Sequence, residues 1–579
     1  MTSLDCSANR LAPYVLTLSL GLLSPIDALA TDYYVAPGGS DANPGTQAQP
    51  FASLQKGENV AQAGDTVYIR GGTYSIVTPA TSGAGITFTK SGTSDTNRIR
   101  YWAYDGEVPI FDFSQMAIST TGYTHGFVVT GSYLHFKGLE IKGVPMNTRS
   151  NNGVAVNGGG HDIFELLDMH HNSGNGIFIG AGSGGHLVLN CDAHDNYDPT
   201  STQGDGQNAD GFGLHYQTSG ATSTFRGCRA WWNSDDGYDF INQEVPGIIE
   251  SSWAFSNGYI KSGTARPGAG NGNGFKVGSS KTGVRHIVRN NVAWKNVASG
   301  FYANHSSGGN DWFNNTSYSN GTQYNMLASD PSDSSITIIL MGSLVHKMRN
   351  NIGFPNKNSN MGGVDTAFNS WDLNITPAAT DFASVSDTGA MGPRQADGSL
   401  PNLDFMKLPA GSKMIDKGTD VGLPFAGTAP DLGAYEYGAG GATGTAGAAG
   451  TSAGGTAGAL GMAGAAGSGT AGTPGSSAGG NGTAGGMPGA SGATNTGGAQ
   501  PGGSAGNDGL AGNTGLGAAS GSASASADSS GCSCKIAGSG ESGVQRGALW
   551  TALGMLALFA NRRRRRAPLR VQAGGRQLR

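Results

Sequence analysis

Six asparagines constrain this chain more than any other feature. Asn172, Asn196, Asn233, Asn257, Asn296 and Asn320 are separated by 24, 37, 24, 39 and 24 residues, so the period is 24, with insertions of 13 and 15. Three positions before each lies Met169, Ala193, Ala230, Ala254, Ala293 or Ser317, a mostly small column. Two before lies His170, His194, Trp231, Phe255, Trp294 or Tyr318, an aromatic or imidazole column. Neighbouring columns of such different character face opposite ways, which is the period of a strand. A second landmark is a Gly followed by apolar alternation, at Gly153, Gly176, Gly211, Gly237, Gly274 and Gly300. Repeats of this length built only from short strands and turns are coils of a parallel β-helix, stacked about 4.8 Å apart. The asparagines then form an interior turn ladder in which side-chain amides satisfy one another. The Trp231, Phe255, Trp294 and Tyr318 column reads as a stacking ladder on the outside rather than a carbohydrate site. Cys191 and Cys228 both sit five residues before their Asn and stack in neighbouring coils, where a buried column of small residues is favoured over a disulfide. From Leu327 to Lys407 the period is lost, which leaves further coils or a covering lobe open.

Composition divides the rest of the chain. Of 99 glycines, about 33 fall between Gly438 and Gly531; the others mark turns in the folded part. No three-residue Gly period runs through the chain, which excludes collagen, and a net charge of −5 makes no case for nucleic acid. Residues 438–530 hold no aromatic, Lys or Arg and only Asp508 and Asp528 as charges, so they read as a disordered Gly/Ala/Ser/Thr linker. Residues 1–30, with Arg10, an apolar run from Leu11 to Leu23 and Ala28-Leu29-Ala30, read as a signal peptide. Residues 531–579 carry Cys532-Ser533-Cys534, a short apolar segment from Ala548 to Ala560 and the cluster Arg562 to Arg566. The expected organisation is therefore an all-β solenoid over 31–437, exported and monomeric, then a linker and a short membrane segment.

Aligning the coils on the Gly landmark gathers the charges. Asp210 and Asp236 each precede their Gly and occupy one slot in adjacent coils; Asp239 and Lys276 each lie two after their Gly and share another. Asp235 sits beside them. The insertions Asp198 to Ala209 and Tyr259 to Asn273 enter just before these positions, where they could wall a cleft. Carboxylates about 5 Å apart raise one another's pKa unless a cation lies between them. Oxygen ligands in this number suit Ca²⁺, which takes six to eight at about 2.3–2.6 Å. Asp236 and Asp239 would be about 10 Å apart along a straight strand, so joint ligation needs a bend at Gly237. The alternative is a solvated acidic turn neutralised by Lys276. Tyr302 shares the slot of Asp239 and Lys276 one coil on and is a candidate for stacking on a sugar. His215, Arg285 and Arg266 are candidate contacts to an acidic sugar.

Several segments resemble known ones. Tyr33-Tyr34-Val35-Ala36-Pro37-Gly38-Gly39 through Gly64-Asp65-Thr66-Val67-Tyr68-Ile69-Arg70-Gly71-Gly72-Thr73-Tyr74 resembles the opening of secreted right-handed β-helix proteins, including a short N-terminal capping helix around Leu54 to Ala63. Asn208-Ala209-Asp210-Gly211-Phe212, Trp232-Asn233-Ser234-Asp235-Asp236-Gly237-Tyr238-Asp239 and Gly272-Asn273-Gly274-Phe275-Lys276 are similar to the active-site sequence of pectate lyases of polysaccharide lyase family nine. That resemblance implies Ca²⁺ bound by Asp210, Asp235, Asp236 and Asp239, Lys276 as catalytic base, and an acidic polysaccharide substrate. The C-terminal spacer, Cys motif, apolar run and Arg cluster resemble the MYXO-CTERM class of bacterial sorting tags, which implies attachment to the cell envelope. Three readings stay open at this point: a lyase of pectate or another uronan such as alginate, a β-helix polygalacturonate hydrolase using paired carboxylates, and a non-catalytic surface adhesin.

Overall fold

The computed structural model describes residues 30–438, apart from 181, 183, 202, 203, 267, 269 and 280–282. The signal peptide, linker and C-terminal sorting segment expected from the sequence lie outside the described residues. Among the described residues, no helix is long and apolar enough to cross a membrane.

Each coil runs through three short strands and climbs one step. The coil Ser223–Arg226, Arg229–Trp231 and Tyr238–Ile241 is typical. Stacking these coils gives one twelve-stranded and two ten-stranded sheets, in which successive coils pair in parallel. Single residues of positive φ turn the chain from the first strand to the second, among them Asn290 (φ 56), Asn314 (φ 51) and Asn350 (φ 60). Asn reaches that region at less cost than most side chains. Near the N-terminus the helix Leu54–Val60 packs against the strands Asp32–Val35, Thr66–Ile69 and Ala84–Phe88. It ends at Ala61, so it stops short of Ala63.

The asparagine ladder forms as its spacing requires. Asn196 Oδ1 accepts from Asn172 N (3.0 Å) and Nδ2 (3.1 Å), and Asn257 Oδ1 accepts from Asn233 N (3.3 Å) and Nδ2 (3.0 Å). The same pattern continues through Asn296 to Asn320. The glycine landmark is a matter of space here, not of dihedral. A Cβ on Gly237 would lie 2.7 Å from Gly274 O and 2.8 Å from Asn257 Nδ2, and 3.1 Å from Ala254 Cβ. Ladder, small column and glycine column thus need one another. Asn257→Ala would strip the acceptor from two buried donors of Asn233, a loss of about 2–4 kcal/mol. The expected outcome is a lower melting temperature in calorimetry, with an unchanged circular dichroism spectrum below the transition.

A second ladder runs through the buried, free Cys191 and Cys228. Cys191 N donates to Cys228 Sγ (3.4 Å), Cys228 N to Ser252 Oγ (3.1 Å), and Ser252 N to Asn291 Oδ1 (2.9 Å). The two cysteines are rungs, with no disulfide between them.

The segment after Leu327 does both things its lost period left open. His346–Arg349, Ile352–Phe354 and Val364–Ala367 add to the sheets, while Ser329–Asp330 and Asp333–Thr337 form a small antiparallel ribbon. The chain then returns along the second sheet. Phe382, Phe405, Met406, Leu408, Met414 and Leu432 bury Trp231, Phe255 and Trp294. Trp253 Nε1 donates to Tyr435 Oη (2.9 Å) and Trp294 Nε1 to Asp387 Oδ2 (2.8 Å). The aromatic column does stack, with Phe255 and Trp294 centroids 4.2 Å apart at 8°. It is not an outer surface, however. Three large apolar side chains in adjacent coils are too much area to leave wet, and the C-terminal segment covers them.

Candidate active site

The site stands on the third sheet, where an interior stack of rings fixes which way its side chains face. Phe212, Tyr238, Phe275, Phe301 and Tyr324 stack ring on ring at 4.7–5.0 Å. Residues two apart on a strand share a face and neighbours do not. The inward Tyr238 and Phe275 therefore send Asp239 and Lys276 outward, and the Cα pairing places Gly213, Asp239, Lys276 and Tyr302 in one column across four coils.

Asp210 and Asp236 belong to a third ladder, formed by the residues that precede the landmark glycines. Asn152 Oδ1 accepts from Asn175 N (2.9 Å), Asn175 Oδ1 from Asp210 N (3.3 Å) and Asp210 Oδ1 from Asp236 N (3.0 Å). Asp236 Oδ1 in turn accepts from Asn273 N and Nδ2, both at 2.8 Å. One carboxylate oxygen of each Asp does what its Asn neighbours do. The other replaces an amide NH₂ with negative charge. Charge alone passes over Asn175 and Asn273 as ladder members; the signal is the Asn or Asp before five of the six landmark glycines, Gly153 to Gly274.

Lys276 Nζ lies 3.0 Å from Asp236 Oδ2 and 3.2 Å from Asp239 Oδ2. Two carboxylates that a straight strand would hold about 10 Å apart are thus brought to a single ammonium across Gly237. Asp235 Oδ1 accepts from Asn271 N at 2.6 Å. The four aspartates and the lysine are all buried, Asp236 completely. Burial and the neighbouring carboxylates push Asp210 and Asp235 well above the usual range and raise Asp236 too, while burial alone raises Asp239 against the pull of Lys276. Burial alone would lower Lys276, but the four carboxylates outweigh it and hold the ammonium charged well above its ordinary value.

The donor set fits a divalent cation. Asp236 Oδ2 and Asp239 Oδ1 are buried and accept no hydrogen bond, although the first is ion-paired with Lys276. Such carboxylate oxygens call for positive charge. Oxygens of Asp210, Asp235 and Asp236 come within 4.8 Å of one another, and Asp210 and Asp239 come together likewise with His215. Asp210 is common to both groups.

Of the other candidates, Tyr302 pairs with Lys276 across the strands, and burial pushes its hydroxyl up to about 12. His215 Nε2 lies 3.6 Å from Asp239 Oδ2, and burial, then Lys276, push its imidazole down to about 3. The structure does not bring either arginine into contact with the aspartates. Arg285 pairs with Asp311 at 2.6 Å and donates to Ser343 O and Val345 O. Arg266 lies over the Tyr197 ring at 4.4 Å and donates to Trp232 O. The two insertions meet beside the site: a Cβ on Gly270 would lie 2.0 Å from Ser234 O and 2.5 Å from Gly206 O. Glycine at that position lets one insertion pack on the other above Asp235.

Residues 33–360 match the family model described as Pel9A-like, right handed beta helix region. The chain belongs to that family. Pectate lyase L of Dickeya chrysanthemi is 38% identical over 407 residues, 70% of this chain and 90% of the relative. Pectate lyase L of Paenibacillus polymyxa is 34% identical over 418 residues, 68% and 85% of the two chains. Among solved structures, the crystal structure of pectate lyase Pel9A superposes with a TM-score of 0.60 at 36% identity, covering 71% of this chain and 97% of that one. A structure named rhamnogalacturonan lyase gives 0.59 at 33% identity, covering 66% and 97%. With this membership the chain is an enzyme, a carbon–oxygen lyase. The matched span contains all four aspartates and Lys276.

Proposed function

We propose that the chain is a Ca²⁺-dependent pectate lyase that cleaves 4-linked polygalacturonate by β-elimination, with Lys276 as the base. The observation that carries this reading is the position of Lys276 Nζ between Asp236 and Asp239. A hydrolase acting through paired carboxylates has no use for a buried ammonium there. In a 4-linked uronate the C5 proton is α to a carboxylate, and its removal puts negative charge on that carboxylate. Asp210, Asp235, Asp236 and Asp239 would hold the Ca²⁺, whose positive charge would offset the negative charge developing on the substrate carboxylate and so acidify C5. Lys276, in its neutral form, takes the C5 proton. The electron pair forms the C4–C5 double bond, and the bond from C4 to the glycosidic oxygen breaks, its pair leaving on that oxygen, which takes a proton from water. Tyr302, one coil on, offers a face for a neighbouring sugar, and His215 offers a neutral imidazole at the other side of Asp239.

The base must be deprotonated, and the aspartates raise Lys276. Activity therefore rises with pH to an alkaline optimum; a rate that is greatest in acid, where Lys276 is charged, contradicts the assignment. A second substrate reading follows from the similar structure named rhamnogalacturonan lyase. Initial rates on polygalacturonate, rhamnogalacturonan and alginate separate the readings. The proposal expects polygalacturonate to be cleaved fastest, and faster turnover of either other polymer overturns the pectate assignment. Export through residues 1–30 and attachment to the cell surface through residues 531–579, as a monomer, complete the proposal.

A further inference from the structure

On a different sheet from Asp239 and Lys276, the outer face of the second sheet carries another set of metal-ligating side chains. Strand pairing aligns Glu140 with Asp168, and His170 with His194, over three successive coils. His170 Nε2 lies 3.2 Å from Glu140 Oε1, and His194 Nε2 lies 3.0 Å from Asp168 Oδ1. The two imidazoles stack with centroids 4.8 Å apart at 9°, so both Nε2 atoms face the carboxylate column. One oxygen each of Glu140 and Asp168 and one nitrogen of His170 come within 4.8 Å of one another. Donors of a tetrahedral ion with bonds of about 2.0–2.1 Å are about 3.4 Å apart, close to the 3.2 Å between His170 and Glu140.

The imidazoles are also supported from behind. His194 Nδ1 lies 2.9 Å from Asp195 Oδ2, and His170 Nδ1 lies 2.7 Å from His171 Nδ1. A second group on the far nitrogen, fixing ring orientation and tautomer, is the usual support of a metal-ligating histidine. Access is open: the four side chains are 14–45% exposed, and Glu140 and Asp168 line a cleft of about 580 Å³.

The geometry points to a second cation site, formed by Glu140, Asp168 and His170 with His194 as a fourth ligand drawn in from beside Asp168, that takes a divalent transition ion such as Zn²⁺. Two imidazoles with two carboxylates suit such an ion, whereas the all-oxygen set at Asp210 and its neighbours suits a harder one. An ion there would tie three coils together.

The test is Co²⁺ and Zn²⁺ binding to the full chain with Ca²⁺ in excess, followed by calorimetry and by visible absorption of Co²⁺. One ion should bind per chain, at least tenfold more weakly in Glu140→Gln and in His170→Ala, and about tenfold more weakly in Asp195→Asn. Asp236→Asn should bind it unchanged, and Glu140→Gln should keep full lyase activity. The inference is overturned by absence of saturable Co²⁺ binding, by its loss in Asp236→Asn, or by affinity unaltered in both Glu140→Gln and His170→Ala. Because the readout is binding in excess Ca²⁺, it is independent of the proposed pectate chemistry.

Discussion

Replacing Lys276 with Ala should lower kcat by about 10²–10⁴-fold, the usual contribution of a positioned acid or base. The helix itself should survive, because Lys276 points outward and the inward Phe275 and Val277 carry the packing. The variant has a second signature. Lys276 Nζ is the positive charge nearest Asp236 and Asp239, at 3.0 and 3.2 Å. Without it, four buried carboxylates face one another with no counterion. In chelator, Lys276→Ala should therefore melt below the wild type, and added Ca²⁺ should recover much of the difference while leaving activity lost. Full residual activity would remove Lys276 from the role of base. A variant that no Ca²⁺ restabilises would count against the aspartates as its ligands.

The second large effect concerns Asp236. Its Oδ1 works as a ladder rung for Asn273, and only Oδ2 faces Lys276. Asp236→Asn keeps the rung and deletes the charge, which makes the position resemble Asn175 one ladder step beyond Asp210. Activity should fall at least 10²-fold, and Ca²⁺ affinity by tenfold or more. Stability should move the other way. A buried carboxylate whose pKa is raised on folding favours the folded state below its unfolded value of about 3.9 and loses that contribution as pH rises through the folded value. Asp236 is such a group. In chelator at neutral pH, Asp236→Asn should melt at or above the wild type, and the gap should close as pH falls. A variant markedly less stable at neutral pH, with Ca²⁺ affinity intact, would make Asp236 a purely structural rung.

These expectations rest on how much of the molecule its sequence carries. The coil register was legible because a solenoid repeats its environment. Asn172 to Asn320 must meet the same partner every turn, so their spacing states the fold, and it also brings Asp239 opposite Lys276. The ladder of Asn175, Asp210, Asp236 and Asn273 was legible too, but only by reading amides and carboxylates as one column. Other features depend on contacts that no period announces. Trp231, Phe255 and Trp294 looked like an outer face because the covering residues, Phe382 to Leu432, lie far along the chain and follow no repeat. Arg285 and Arg266 looked available for an acidic sugar. A long cation takes whatever acceptor the fold brings near, here Asp311 and the Trp232 carbonyl.

The central claim is elimination by a lysine base with Ca²⁺ at the aspartates. It is tested most directly by digesting polygalacturonate with the wild-type enzyme, following both ultraviolet absorbance of the unsaturated product and reducing ends, with Ca²⁺ and with chelator. The account predicts that absorbance and reducing ends rise together with Ca²⁺ and that both stop in chelator. Reducing ends without absorbance, or elimination that continues undiminished in chelator, would contradict it.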